Sequence, residues 1–175
     1  EEWIYGRGFP EMDFEWSWSE GLIEGTVRQT HDFSGGTVRV FHLPSEIELG
    51  FPDRSERFSV ELGQRVTTFT FPADVRPEYV RFDPDCFIPK VMSWPSRSAE
   101  EWVAIARLSK SPDARRDAAL ALGPLAGSQK RGEPAREELT GELLALLRED
   151  ENSWVRADAA TALAGVLEGP VGEAL

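Results

Sequence analysis

The feature that most constrains this chain is a repeat in its second half. Ala114-Arg115-Arg116-Asp117-Ala118-Ala119-Leu120-Ala121-Leu122 returns, 41 positions later, as Val155-Arg156-Ala157-Asp158-Ala159-Ala160-Thr161-Ala162-Leu163. Apolar residues at three- and four-residue spacing inside each copy mark helices. A helical unit repeated at this interval cannot bury its own apolar face, so neighbouring units must stack.

A period of about 40 to 47 residues belongs to arrays of the HEAT and armadillo type. Residues 97–175 therefore read as a short, truncated array of HEAT-like helices. Ser98-Ala99-Glu100-Glu101 opens the first helix as a capping box, with Trp102, Ile105 and Ala106 on one stripe. Pro112 suits the first turn of a second helix, where its missing donor costs nothing. That helix is expected to run to Leu122 and to be broken by Gly123-Pro124. Pro134 starts a third helix carrying Leu139, Leu143, Leu146 and Leu147, and Ser153 is expected to cap a fourth that ends at Gly169-Pro170. Alanines on the second and fourth helices allow close packing between them.

Residues 1–96 have a different grammar, and Trp94-Pro95-Ser96-Arg97 marks the change. Met12, Phe14, Trp16 and Trp18 alternate with polar residues as in a half-buried strand. Glu20-Gly21 turns the chain into a second strand from Leu22 to Thr30. Val38 to Leu49 is strand-like, with Pro44 marking an edge or a bulge because it lacks a donor. Arg57 to Leu62 and Arg65 to Phe71 flank Gly63-Gln64, which reads as a two-residue hairpin connection. Tyr79 to Phe82 and Cys86 to Met92 complete about seven short strands, the pattern of an antiparallel β-sandwich. The expected fold class is α+β with the two kinds of structure segregated.

The formal charge is −12, split as −8 up to Pro95 and −4 after it. Neither half is basic, which argues against nucleic acid, since phosphate binding needs clustered Lys and Arg. No run of 18 apolar residues is present to span a membrane as a helix. The acidic surface serves solubility. Cys86 is the only cysteine, so no intrachain disulfide forms, and a reducing compartment such as the cytoplasm is favoured. Glu1-Glu2-Trp3-Ile4-Tyr5 has neither an initiator Met nor a basic leader, and reads as a cut through a longer protein.

Residue by residue, no reaction centre emerges. His31 and His42 are 11 positions apart, which fits no helical zinc motif; His31 is expected at a strand end and His42 on a strand surface. Cys86 has no activating base beside it in sequence and is expected to be a packed thiol. Asp83-Pro84-Asp85 has turn chemistry, and Glu149-Asp150-Glu151 is expected on a solvated face. Gly6, Gly8, Gly35 and Gly36 do not form a phosphate-binding fingerprint. Trp16 and Trp18 share one strand face and belong to a core rather than to a stacking platform for sugars or bases. Asn152-Ser153-Trp154 is not a glycosylation acceptor. Arg115 and Arg156, with Asp117 and Asp158, occupy equivalent repeat positions and are expected to form a structural ladder between units. Trp3, Ile4 and Tyr5 have no strand of their own, and Val155, Ala159, Leu163, Val166 and Leu167 lie on a last helix without a polar cap; both groups are expected to form a sticky face.

In their order along the chain, these motifs resemble the C-terminal, non-catalytic part of the aminopeptidase N family of zinc metallopeptidases. Trp3-Ile4-Tyr5 and Gly8-Phe9-Pro10 are similar to the family's Trp, Gly and Pro pattern where the catalytic domain hands over to a β-sandwich. Trp16 and Val27-Arg28-Gln29-Thr30 resemble its first hairpin. Val40-Phe41, Leu43-Pro44, Ile47 and Leu49 resemble the next strand. Phe69, Phe71, Val80 and Phe82-Asp83-Pro84-Asp85 resemble the last strands, and Trp102 with the Ala-Leu repeats resembles the start of the helical domain. The resemblance spans residues 3 to 168. It implies a sandwich that braces a catalytic domain and helices that wall a chamber for peptide substrates. It also implies a parent enzyme that holds zinc through two His and a Glu, with a Glu base and a Tyr for the oxyanion. None of those motifs occurs here, so no catalytic, cofactor-binding or metal role is assigned to any residue. The alternative is a HEAT-type protein-interaction scaffold without peptidase activity, since some relatives are scaffolds.

Overall fold

The computed structural model describes residues 8–32 and 36–168. The chain divides into two compact units, Glu1–Arg97 and Ser98–Leu175. The first holds seven strands: β1 (Glu11–Ser19), β2 (Leu22–Gln29), β3 (Leu43–Gly50), β4 (Ser55–Leu62), β5 (Val66–Pro72), β6 (Tyr79–Phe82) and β7 (Val91–Ser93). The second holds four helices: α1 (Ala99–Leu108), α2 (Pro112–Ser128), α3 (Pro134–Glu149) and α4 (Ser153–Glu168). Strands and helices are segregated, so the fold class is α+β.

The strands form two sheets, ordered β5-β2-β1-β7 and β4-β3-β6. Alternation along each strand sends every second side chain inward. Met12, Phe14, Ile23 and Val27 of one sheet and Leu43, Ile47, Leu49, Leu62 and Phe82 of the other share a single core. Phe14 stacks on Phe69 and Phe82, and Phe58 on Phe71. Trp16 and Trp18 are half-buried against this core, and Trp18 Nε1 donates to the Ala73 carbonyl at 2.8 Å. Glu20 and Gly21 both have positive φ, 51° and 79°. That is the turn whose twist matches a two-residue hairpin, and it sets the β1–β2 register.

Three strand expectations are corrected. Gly63-Gln64 does not close a hairpin: β4 and β5 lie in different sheets, and the turn carries the chain across the core. Cys86 to Lys90 is a loop, and only Val91–Ser93 forms a strand. That strand pairs with β1 in parallel, so the sheets are not wholly antiparallel. Pro44 lies in β3, the central strand of its sheet. It sits opposite Glu61 of β4, while β6 pairs only with Ile47 to Gly50. The strand therefore has one neighbour at the proline, and its missing donor costs no ladder bond.

In the helical unit, Ser98 and Ser111 cap α1 and α2 by accepting from Glu101 N and Ala114 N. Helix α2 continues through Gly123-Pro124 to Ser128, against the expected break. Gly123 is there for packing. A Cβ on it would lie 3.0 Å from the Cβ of Ala162 on α4, closer than ordinary contact. Ala118, Ala119 and Ala159 are fully buried, which lets α2 and α4 approach closely. The cap of α4 is Asn152 rather than Ser153: its Oδ1 accepts from Trp154 N at 2.9 Å and Val155 N at 3.4 Å. Val155, Ala159, Leu163 and Val166 are buried and do not form an exposed face. Leu167, Trp3, Ile4 and Tyr5 lie outside the residues whose side chains are described. No helix among the described residues is long and apolar enough to cross a membrane.

Candidate functional site

The 41-residue repeat in the sequence is also a repeat in hydrogen bonds. Ser109 and Asp150 end α1 and α3 at equivalent positions. Each side chain accepts from a backbone N–H two residues on: Ser109 Oγ from Ser111 N at 3.3 Å, Asp150 Oδ1 from Asn152 N at 2.8 Å. Ser111 and Asn152 then cap the next helix. Six residues after each C-cap comes an arginine whose Nη1 donates back to the C-cap carbonyl: Arg115 to Ser109 at 3.0 Å, Arg156 to Asp150 at 2.9 Å.

The most buried ion pair between the two repeats is that of Arg115 and Asp150. Arg115 presents Nε and Nη2 to the two carboxylate oxygens of Asp150, at 2.6 and 3.1 Å. The side chains are 10% and 4% exposed, so this is a buried fork-to-carboxylate pair. Desolvation pushes the Asp150 carboxyl upward. The Arg115 fork, the Asn152 N–H and the Arg115 and Arg156 charges outweigh it and hold the carboxyl below its ordinary range. The hydrogen bond to Asp150 raises Arg115 in turn. The expected ladder exists with different partners. Asp150, expected on a solvated face, takes Arg115, while Asp158 takes Arg116 at 2.7 Å. Arg107 and Glu142 form a further pair, and with Arg115 and Asp150 they line a cleft of about 460 Å³. Arg136 donates to the Gln129 and Val166 carbonyls at 2.8 and 2.7 Å, tying the C-terminal ends of α2 and α4 together.

The β unit has its own polar node at Asp83, where φ is +50°. Its carboxylate accepts from Phe87 N at 3.1 Å, Ile88 N at 3.0 Å and the Lys90 ammonium. Both charged side chains are buried. This node shapes the loop after β6 and aims β7 at β1. Asp85 takes the Arg57 guanidinium through both oxygens, at 2.6 and 3.0 Å, and that bond holds its carboxyl below the usual range. A cleft of about 700 Å³ lies beside this loop, between Pro44, Glu46, Arg57 and the exposed ring of Phe87. Cys86 is exposed rather than packed, and its φ is 54°. Its sulfur accepts from Arg81 Nη2 at 3.4 Å.

Gln29 is buried at the end of β2 and bonds three ways. Its Oε1 accepts from Phe41 N at 2.9 Å, while Nε2 donates to the Phe41 carbonyl at 2.9 Å and the Gln64 carbonyl at 3.3 Å. It pins the approach to β3 and the β4–β5 crossover to one strand end. His31 is buried beside it, edge-on to Phe41, with Nε2 2.9 Å from the Val38 carbonyl. His42 is exposed. The two histidines and Cys86 are not brought together, and among the described residues no group of three His, Cys, Asp or Glu side chains is placed to hold a metal ion. Gly8 and Gly36 have positive φ and sit in loops, while Gly6 and Gly35 lie outside the described residues.

Gln29 and Arg116 stood in the hairpin motif and the repeat without a partner assigned to them, and Arg57 and Arg136 had no role assigned. A Gln at an inward position of an alternating strand, and paired Arg residues at a repeat position, were the available signals. The chemistry of these nodes is uniform. Asp83 and Asp150 are saturated by cations and backbone donors, which suits holding elements in place rather than exchanging protons with a substrate.

No protein-family model matches the chain, and no curated protein sequence matches it. Among solved structures it is similar to Legionella pneumophila aminopeptidase A in complex with aspartic acid, with a TM-score of 0.65 at 17% identity. The match covers 97% of this chain and 20% of that one, so the chain spans about a fifth of its neighbour's length. The likeness is one of fold.

Proposed function

We propose that this chain is the non-catalytic β-plus-helical part of a zinc aminopeptidase, bracing the catalytic domain and helping to wall the chamber that receives peptide substrates. The observation that carries this reading is a fold likeness to an aminopeptidase along nearly the whole chain. The order of sequence motifs supports it independently. The nodes at Asp83, Gln29 and Arg115 support a bracing role, because each fixes one element against another. The donor set here does not fit a zinc site. His31 is buried on a backbone carbonyl, His42 is exposed, and no His-Glu-x-x-His occurs. No step of peptide hydrolysis is therefore assigned to these residues; the metal and its chemistry belong to the remainder of the proposed parent.

The test compares this chain with the full-length protein by metal analysis and by cleavage of aminoacyl reporters. Stoichiometric zinc and cleavage are expected only in the full-length protein. A full-length protein with neither would replace this reading with the interaction scaffold. One tightly held zinc per copy of this chain alone would overturn it outright.

A further inference from the structure

We infer that the free edge of β5 takes a second copy of this chain, the two β5 strands pairing antiparallel about a twofold axis. The ladder between β2 and β5 decides which backbone groups are available. Gln29 N donates to the Arg65 carbonyl and Ala73 N to the Gly21 carbonyl. In this register Arg65, Thr67, Phe69, Phe71 and Ala73 turn their backbone groups toward β2. The groups of Val66, Thr68 and Thr70 point the other way, where no strand lies among the described residues. All three residues are exposed. The other edges are guarded. β7 has three residues; β6 has four, and Arg97 donates to its Val80 carbonyl; β4 carries Glu56, Arg57 and Glu61. Short strands, covered edges and charges all discourage strand addition. β5 is seven residues long, Val66-Thr67-Thr68-Phe69-Thr70-Phe71-Pro72, and carries no charge. Only Pro72, which lacks a donor, stops it at one end.

This edge is complementary to itself. A register centred on Thr68 pairs Thr68 with the partner's Thr68 and Val66 with the partner's Thr70, and leaves Pro72 outside the ladder. Each pair joins residues whose backbone groups face outward, so each exchanges two hydrogen bonds. Side chains and charges agree with the pairing. Thr26 of β2 stands opposite Thr68, so the centre becomes a row of threonines crossing both copies. In the flanking rows Arg28 stands opposite Val66 and Glu24 opposite Thr70. Each flanking row therefore carries the arginine of one copy and the glutamate of the other. No like charges are opposed along the seam, although the chain carries a net charge of −12. The twofold axis closes the assembly at two copies, because each has then used its unguarded edge.

Sedimentation of the 175-residue chain over a range of concentrations tests the pairing. A monomer–dimer equilibrium is expected, with the mass levelling at two copies. Thr68→Lys sets two ammonium groups face to face at the axis and should raise the dissociation constant roughly tenfold or more. Thr68→Glu should do the same with two carboxylates. An equimolar mixture of these two variants should associate again, because position 68 then meets its opposite charge. Thr68 is exposed, so both variants should keep the urea midpoint of the unsubstituted chain. The mixing experiment reads the pairing even where a midpoint moves. A chain monomeric at every concentration would overturn the inference. So would dimers indifferent to Thr68→Lys, or a mixture that associates no better than its components. Mass growing beyond two copies would also overturn it, in favour of open-ended strand addition.

Discussion

The ring of Phe69 occupies the space that a side chain on Gly25 would need. The two residues are directly opposite in the β2–β5 ladder, and a Cβ on Gly25 would fall 2.0 Å from the Phe69 ring. Gly50 and Tyr79, opposite each other between β3 and β6, repeat the arrangement at 2.1 Å. In both pairs an aromatic ring covers a glycine across the strand and supplies the packing that the glycine lacks. Gly25→Ala should therefore destabilise the β unit by about 1–3 kcal/mol, the usual cost of overpacking. Gly25→Ala combined with Phe69→Leu should cost less than the sum of the two single changes, because the smaller side chain leaves room for the methyl. Urea unfolding followed by tryptophan fluorescence measures this; strict additivity would show that the two residues are not in contact.

Arg115 and Arg156 are equivalent in sequence and unequal in structure. Arg115→Ala strands the buried Asp150 carboxylate and should cost about 3–5 kcal/mol. Arg156→Ala removes only bonds to two backbone carbonyls from a half-buried side chain and should cost about 1 kcal/mol. Denaturant unfolding of the two variants, followed by far-ultraviolet circular dichroism, should rank them in that order. Equal losses would contradict the assignment of Asp150 to Arg115.

The same pair sets a pH dependence. The folded Asp150 carboxyl is held below its ordinary value near 3.8, so its contribution is fully present above that value. The contribution is lost as pH falls through the lower folded value, where the carboxylate takes up its proton. Arg115, raised in the fold, stays charged throughout this window. Helical stability should thus decline below about pH 4, and Asp150→Asn should flatten the decline while lowering stability at neutral pH. An unaltered acid limb in this variant would show that other carboxylates govern it.

How much of this was legible beforehand depended on whether a residue's role was local. The 41-residue spacing identified the helical unit because the back-reaching arginine and the buried alanines recur as the same residues in each copy. The Glu20-Gly21 turn was legible from Gly21, since glycine is the residue that adopts positive φ without strain. Alternation at Gly63-Gln64 said which residues face inward but not which sheet they join, so the crossover was hidden. Gly123-Pro124 looked like a break because a glycine needed for helix contact and one needed for a turn are the same letter. Asn152 and Ser153 are both good caps, and only the backbone decides between them. The partners of Arg115 and Asp83 were out of reach for a different reason: each is set by how separate elements converge in space.

Asp83 holds the loop that delivers β7 to β1, and its loss should be felt there first. The buried carboxylate receives the Lys90 ammonium and two backbone N–H groups, while its own N–H donates to the Glu46 carbonyl at 2.9 Å. Asp83→Ala leaves the Lys90 charge buried without its partner and two loop donors unmet, a loss of about 3–5 kcal/mol in the β unit. Asp83→Asn keeps one acceptor and the shape but not the charge, and should fall between the wild type and the alanine variant. Adding Lys90→Met to Asp83→Ala should recover part of the loss, because the stranded cation is then gone. Hydrogen exchange supplies the local readout. The Val91 amide, bonded to the Pro10 carbonyl at 3.1 Å, should exchange faster in Asp83→Ala, while amides of the β1–β2 hairpin change less. Uniform acceleration across both would mean that Asp83 supports the whole unit rather than this loop.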